Sequence, residues 1–285
     1  MTKKAFTLIE VMVVMAIISI LAGMMVPAVW KFWESEDIAT TNQRLADLKL
    51  AMVGNRLLIQ DGVRRSFGFV GDIGELPFAN MTAAGGLKYL ADRPVSGYPT
   101  WAGSYMKGGF DRSNFTLDAW GRPFVYSPHP VPSAEPFRYV SAEIRSYGPN
   151  GIANDSDDIV VYIEEKEVTP TGHYKGKILV TTASPITTFS ADADVTYRDP
   201  TVPTGMRTTE KLTCKQFSSG IASGAFFVYS SSHVQKFPIG ELTYKTNVYP
   251  ASPDCTGPSS TLDSFYFIHD DVKEILLNFP QINNP

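Results

Sequence analysis

Between Val11 and Trp30 the chain carries no charged side chain, and a lone acid, Glu10, stands at the mouth of this run. About twenty apolar residues, rich in Met, Val, Ile and Leu, are what a helix needs to cross a bilayer. A membrane helix is therefore expected over residues 11–30. Lys3 and Lys4 precede it, and the positive-inside rule holds such an N-terminus in the cytoplasm and sends the remainder outward. A cleaved secretory signal has a shorter apolar core that ends in small residues. Here the run continues into KFWESEDIATTNQRLADLKLAMVGNRLLIQDG, where Ile38, Leu45, Leu48, Met52 and Ile59 fall at helical spacing. One rod from Phe6 to Gln60 would be on the order of 80 Å long at about 1.5 Å per residue. Pro27 should kink or locally melt it, because proline removes a backbone donor and crowds the preceding turn.

The opening KKAFTLIEVMVVMAIISILAGMMVP resembles the class III signal of type IV prepilins and pseudopilins. That resemblance implies a five-residue leader (1–5) and a membrane-embedded prepilin peptidase that cuts between Ala5 and Phe6 on the cytoplasmic side. It also implies N-methylation of the new Phe6 terminus, with the helix (6–62) left attached. The family usually has Gly where this chain has Ala5. The resemblance further implies that Glu10 meets the Phe6 ammonium of a neighbouring subunit during assembly. A carboxylate at the centre of a membrane helix costs roughly 2.5–3.5 kcal/mol on insertion scales, and less near an end. A second reading has Glu10 snorkelling to the cytoplasmic interface as part of an ordinary anchor. Implied partners are like subunits and minor pseudopilins, an inner-membrane assembly platform and membrane lipid. The implied location is a single pass in the inner membrane with a periplasmic head, then a pseudopilus or extracellular filament.

The bulk properties exclude several classes. A hydrophobic content of 44 % and a charged content of 19 % in 285 residues describe a folded chain. The net charge of −4 becomes −6 without the first five residues. No basic cluster exists beyond Arg64 and Arg65, so nucleic acid is not an expected partner. The four histidines, His129, His173, His233 and His269, lie far apart and outside any ligand spacing. Ser232 and His233 are neighbours, but adjacent strand residues point to opposite faces. There is no nucleophile elbow, phosphate loop or nucleotide fingerprint, so no enzymatic activity is expected.

Past the rod, residues 63–163 turn rich in Gly, Pro and aromatics. They suggest a short helix near Ala83–Ala91, a turn at Trp120–Pro123 leading into a strand, and strands over Arg138–Tyr147 and Ile159–Glu165. Between the last two lies PNGIANDSDD, with Asn150, Asn154, Asp155, Asp157 and Asp158 crowded beside Gly151. Crowded hard oxygens suit Ca²⁺, which takes six to eight of them at roughly 2.3–2.6 Å. The same residues also make ordinary solvated turns, and the spacing is not that of an EF-hand. The blocks ELP (75–77), WAGSY (101–105), LDAWGRPFVY (117–126) and RSYGPNGIANDSDDI (145–159) resemble, in the same order, those of the major pseudopilin of type II secretion. The resemblance implies a pilin-like antiparallel β head with a calcium loop. Asn150 stands where the family has its first Asp, Asp157 and Asp158 match the terminal acids, and the Tyr147 carbonyl is a further ligand. Asn150 keeps an oxygen but drops one formal charge, which implies either a lower affinity or compensation by Asp155.

Residues 164–285 extend beyond that resemblance. KGKILVTTAS, DVTYRD, TEKLTCKQF, GAFFVYSS, GELTYKTNVYP, STLDSFYFIHDD and KEILLNFP read as short strands divided by turns. They suggest an immunoglobulin-like or related β-sandwich. The only cysteines, Cys214 and Cys255, are expected to form a disulfide in an exported domain, the alternative being two buried thiols. A loop of about forty residues closed in this way contributes about 3–4 kcal/mol in the chain-entropy model. The expected fold is thus α+β: a long transmembrane and amphipathic helix, a pilin-like head and a C-terminal sandwich. The expected function is that of a filament subunit, in a type II secretion pseudopilus or a type IV pilus-like fibre. Two other readings are a minor pilin or adhesin whose β domain binds a surface or cargo, and a plain membrane-anchored periplasmic protein.

Overall fold

The computed structural model describes residues 8–60, 63–78, 86–94, 98–130, 139–182, 188–208, 212–218, 225–230, 235–250, 252–268 and 274–284. Its first element is a single helix, α1 (Leu8–Val53), of 46 residues. At about 1.5 Å per residue that is roughly 70 Å. The helix runs unbroken through position 27, so the expected local melt does not occur.

α1 stops at Val53, short of the expected Gln60. Gly54 takes φ 77° and its N–H returns to the Leu50 carbonyl at 2.8 Å. A Cβ here would lie 2.3 Å from the Ser66 carbonyl oxygen, so only glycine makes this left-handed exit. The Arg64 guanidinium then caps the helix by donating to the Val53 carbonyl. Ile59, expected on the buried stripe of the rod, instead sits exposed in β1 (Ile59–Gln60), paired with β2 (Val63–Arg64). Its helical spacing is overruled because the chain has already reversed.

The head packs on the second half of α1. Helix α2 (Gly68–Ile73) buries Phe69, Val70 and Ile73 against it. In place of the expected helix near Ala83–Ala91 there is a 3₁₀ turn, Gly86–Leu90; positions 83–85 lie outside the described residues. Strands β3 (Val125–Pro130), β4 (Tyr139–Ser146) and β5 (Ile159–Ile163) form an antiparallel sheet in that order. In β4 the alternation buries Val140, Ala142 and Ile144 beneath the helix while their neighbours face outward.

The chain leaves this sheet through a short helix, α3 (Glu165–Val168), held by a capping box from Glu164 and Glu167. Two further sheets follow. In the first, β6 (Thr171–Thr182) pairs antiparallel with β10 (Phe226–Ser230) and β11 (Gln235–Lys236), and parallel with β14 (Glu274–Asn278) and β15 (Ile282–Asn284). In the second, β7 (Thr188–Arg198) lies between β12 (Gly240–Tyr249) on one side and β8 (Met206–Thr208) and β9 (Lys215–Ser218) on the other. β13 (Ser260–Ile268) closes the order at the far side of β12.

The sheets lie face to face. Phe189 of β7 meets Phe227 of β10 edge-on at 5.1 Å, and the Tyr244 and Thr246 hydroxyls of β12 donate to the Leu276 and Asn278 carbonyls of β14. Cys214 and Cys255 are joined in a disulfide with Cα atoms 5.9 Å apart.

The sandwich is not loosely appended at residue 164. Gly240 comes so close to α2 that a Cβ would sit 2.9 Å from the Gly71 carbonyl oxygen. Phe67 stacks on Phe267 at 5.8 Å, and one apolar core runs from Leu45 in α1 to Ile282 in β15.

Candidate functional site

The free arm of α1 and the acidic loop between β4 and β5 are the two candidate regions. Glu10 lies exposed in the first helical turn, where the dipole favours a carboxylate. Ala5 and Phe6 lie outside the described residues. From Leu8 to Trp33 the large apolar side chains that the structure describes are each at least 40 % exposed, on every side of the helix. Trp30 and Trp33 meet edge-on at 6.2 Å where the arm ends, just before Glu34, Glu36 and Asp37.

Among the described residues no helix is long and apolar enough to cross a membrane. The expected crossing, 11–30, passes positions 24, 27 and 28, whose side chains lie outside that set.

From Thr41 onward one face of the same helix is buried: Thr41, Leu45, Leu48 and Met52 are fully covered. Polar staples hold this half in place. Arg44 donates to the Leu117 and Asp118 carbonyls at 2.8 and 2.9 Å, and the Ala119 N–H donates to the Thr41 hydroxyl at 3.1 Å. Lys49 pairs with Glu167 at 2.8 Å, tying the helix to α3. The LDAWGRP segment, whose sequence marks a turn, is thus the clasp on the helix. Sequence reasoning does not single out Thr41, Arg44, Lys49 or Glu167: Arg44 and Lys49 are polar residues flanking the apolar stripe, Thr41 is a polar residue on it, and Glu167 lies in α3.

The clasp continues into the acidic loop. The buried Asp118 carboxylate accepts the Ser146 hydroxyl and the Arg122 N–H, each at 2.8 Å, and the Arg122 side chain donates onward to the Gly148 carbonyl. Within the loop, the Asn150 amide donates to Asp155 at 2.7 Å and to Asp157 at 2.8 Å. The two carboxylates share a hydrogen bond, which pushes Asp157 above the usual carboxylate range and holds Asp155 below it. Asn154 takes a left-handed φ of 64° and its N–H donates to Asp158 at 2.9 Å.

Asp158 is drawn off to Arg145 at 2.5 Å, and its other oxygen is buried without a partner. The Tyr147 carbonyl accepts the Gly151 N–H. The structure therefore brings Asn150, Asp155 and Asp157 together and turns Asp158 toward a guanidinium. The Asn150 side-chain oxygen faces the Ile152 N–H. Among the described residues no three His, Cys, Asp or Glu side chains are grouped to hold a metal ion. His129 lies in β3 and His173 in β6; His233 and His269 lie outside the described residues.

A family model, the prokaryotic N-terminal methylation motif, matches residues 1–26. The chain therefore opens with a type IV pilin-like prepilin signal, the kind that prepilin peptidase processes. No curated protein and no solved structure matches the chain. The match ends within the exposed arm of α1, before the clasp, so the head and the sandwich rest on their own geometry.

Proposed function

We propose that this chain is a structural subunit of a type II secretion pseudopilus or type IV pilus-like filament. In this reading it is cut before Phe6 and assembled through α1. The observation that carries the proposal is the exposed arm: Val13, Val14, Met15, Ile17, Ile18, Ile20 and Leu21 present apolar surface in every direction, each more than half exposed. A helix apolar all round needs cover all round. Lipid supplies that cover before assembly, in a single pass of the inner membrane, and the arms of like subunits supply it afterwards. Full burial of one such side chain out of water is worth about 1.5–3 kcal/mol, so the arm stays covered throughout; between lipid and neighbouring arms this gain largely cancels, and side-chain packing drives the exchange.

In that packed core Glu10 needs a cation, and the Phe6 ammonium of the next subunit would supply it. The buried half of α1, clasped by Arg44 and Thr41, transmits pulling force to the head.

The loop adds a calcium reading. Asp155 and Asp157 would hold the ion, which would replace the shared hydrogen bond with charge neutralisation and stiffen the head surface. The paired carboxylates and the orphaned Asp158 oxygen support it. The C-terminal unit is read as an immunoglobulin-like sandwich that decorates the filament. The size and firm seating of that unit favour a second reading as a minor pilin or adhesin.

Expression of the full chain with its assembly machinery tests the main proposal. Mass spectrometry should find methylated Phe6 as the mature terminus, and Glu10→Val should remove the chain from sheared filaments while leaving it in the membrane. Glu10→Val chains incorporated as efficiently as the parent would exclude the Glu10 mechanism. Abundant incorporation marks a major subunit, and scarce tip labelling marks the adhesin. Calcium that leaves the unfolding temperature unchanged would remove the metal.

A further inference from the structure

Among the described residues one edge of the sandwich is longer than the others. β8 and β9 are three and four residues long, and β10 and β14 five each. β13 is nine, Ser260–Ile268. It pairs with β12 along its whole length on one side, and among the described residues no strand pairs with its other side. Natural edge strands are kept short or blunted by Pro, Lys or a bulge. STLDSFYFI has no Pro and no Lys, and its register with β12 is unbroken.

Toward its Ser260 end both faces are also exposed, whereas Ile268 at the other end is buried. Leu262 lies opposite Thr246, which is fully buried, so it shares the core-facing side of the sheet, yet it is 39 % exposed. On the outer side Phe265 is 59 % exposed. There a shallow groove of about 570 Å³ is lined by Asp194, Glu241, Asp263 and Phe265, with Lys245 as its one cation among the described residues. The end of the strand near Phe267 is covered by Phe67 and Arg65 of the head, which leaves Ser260–Phe265 as the accessible part.

We propose that the β13 edge binds an extended polypeptide strand of a partner protein by β-augmentation. Successive residues of an added strand alternate between faces. Side chains on the core-facing side would continue the apolar layer beside Leu262, and those on the outer side would meet Asp263 and Phe265. The ligand is therefore a strand of alternating apolar and basic residues, and the charge of the groove argues against a second copy of this acidic edge.

The test uses the full-length chain in detergent and a fluorescein-labelled nine-residue peptide of alternating Lys and Val, followed by fluorescence anisotropy and amide hydrogen exchange. The expected result is saturable binding with added protection confined to 260–265. Leu262→Lys should weaken binding at least ten-fold and Leu262→Met should leave it unchanged. Asp263→Lys, at an exposed position on the outer side, should weaken it similarly. A peptide N-methylated at alternate residues along its pairing edge should lose binding at least ten-fold, which separates strand pairing from mere charge attraction. Equal binding by the N-methylated peptide, by Leu262→Lys, or by an alternating Glu and Val peptide would overturn the proposal. So would no binding of the Lys and Val peptide, or a dimer of the chain that Leu262→Lys abolishes.

Discussion

The two halves of α1 have the same backbone and opposite surroundings. Leu45, Leu48 and Met52 are fully buried in the head, whereas Ile17, Ile18 and Leu21 are more than half exposed. Helix formation does not distinguish them, because α1 is continuous from Leu8 to Val53. What differs is the partner: the second half meets its own head, and the first half has apolar surface that only lipid or another chain can cover. One element thus serves the fold with one end and association with the other.

Five substitutions probe that contrast. The greatest loss is expected from Leu48→Ala, which should destabilise the full chain in detergent by about 2–5 kcal/mol in denaturant unfolding. Ile17→Ala should leave the same transition unchanged, and an equal loss would show that the arm belongs to the folded core. Arg44→Ala should cost about 1–3 kcal/mol, since the Leu117 and Asp118 carbonyls lose their donor. Glu167→Gln should cost about 1 kcal/mol, because Lys49 remains partly solvated; a double-mutant cycle with Lys49→Met isolates the pair.

A weaker effect concerns pH in the acidic loop. Asp157, raised by its hydrogen bond to Asp155, should titrate above the ordinary carboxylate range and Asp155 below it in carboxyl NMR. The raised group's contribution to stability is complete below its unfolded value and is lost as pH rises through the folded one. The depressed group contributes above its unfolded value, and that contribution is lost as pH falls through the folded one. Two independent, unshifted titrations would show that the carboxylates do not touch.

Much of this architecture is legible in the sequence. Charge-free length marks the arm, and the strand patterns from 175 to 278 place β6, β10, β12, β13 and β14 close to where they lie, while DVTYRD finds only the second half of β7 and TEKLTCKQF meets β9 only at its end. Alternation and turn residues are local properties, so a linear reading captures them. The short strands β8, β11 and β15 carry no such pattern and exist through their neighbours. Ile59 misled for the converse reason: its spacing is helical, but the left-handed Gly54 ends the helix first.

The acidic loop was legible as a cluster of oxygens and not as an arrangement. Nothing in NGIANDSDD distinguishes Asp157, which meets Asn150, from Asp158, which meets Arg145. That partition depends on β4, which carries Arg145 to the mouth of the loop.

Chain order was enough for the apolar arm with its acid, the prepilin-type signal, the succession of strands and the presence of two cysteines, because each is a matter of composition or short-range period. It was not enough for the end of α1, for the clasp of LDAWGRP on Thr41 and Arg44, for the seating of the sandwich on α2 through Gly71 and Gly240, or for β13 as the long open edge. Those features came from the packed fold alone. Each depends on residues far apart in the chain meeting at contact distance, and a linear order of residues holds no record of such distances.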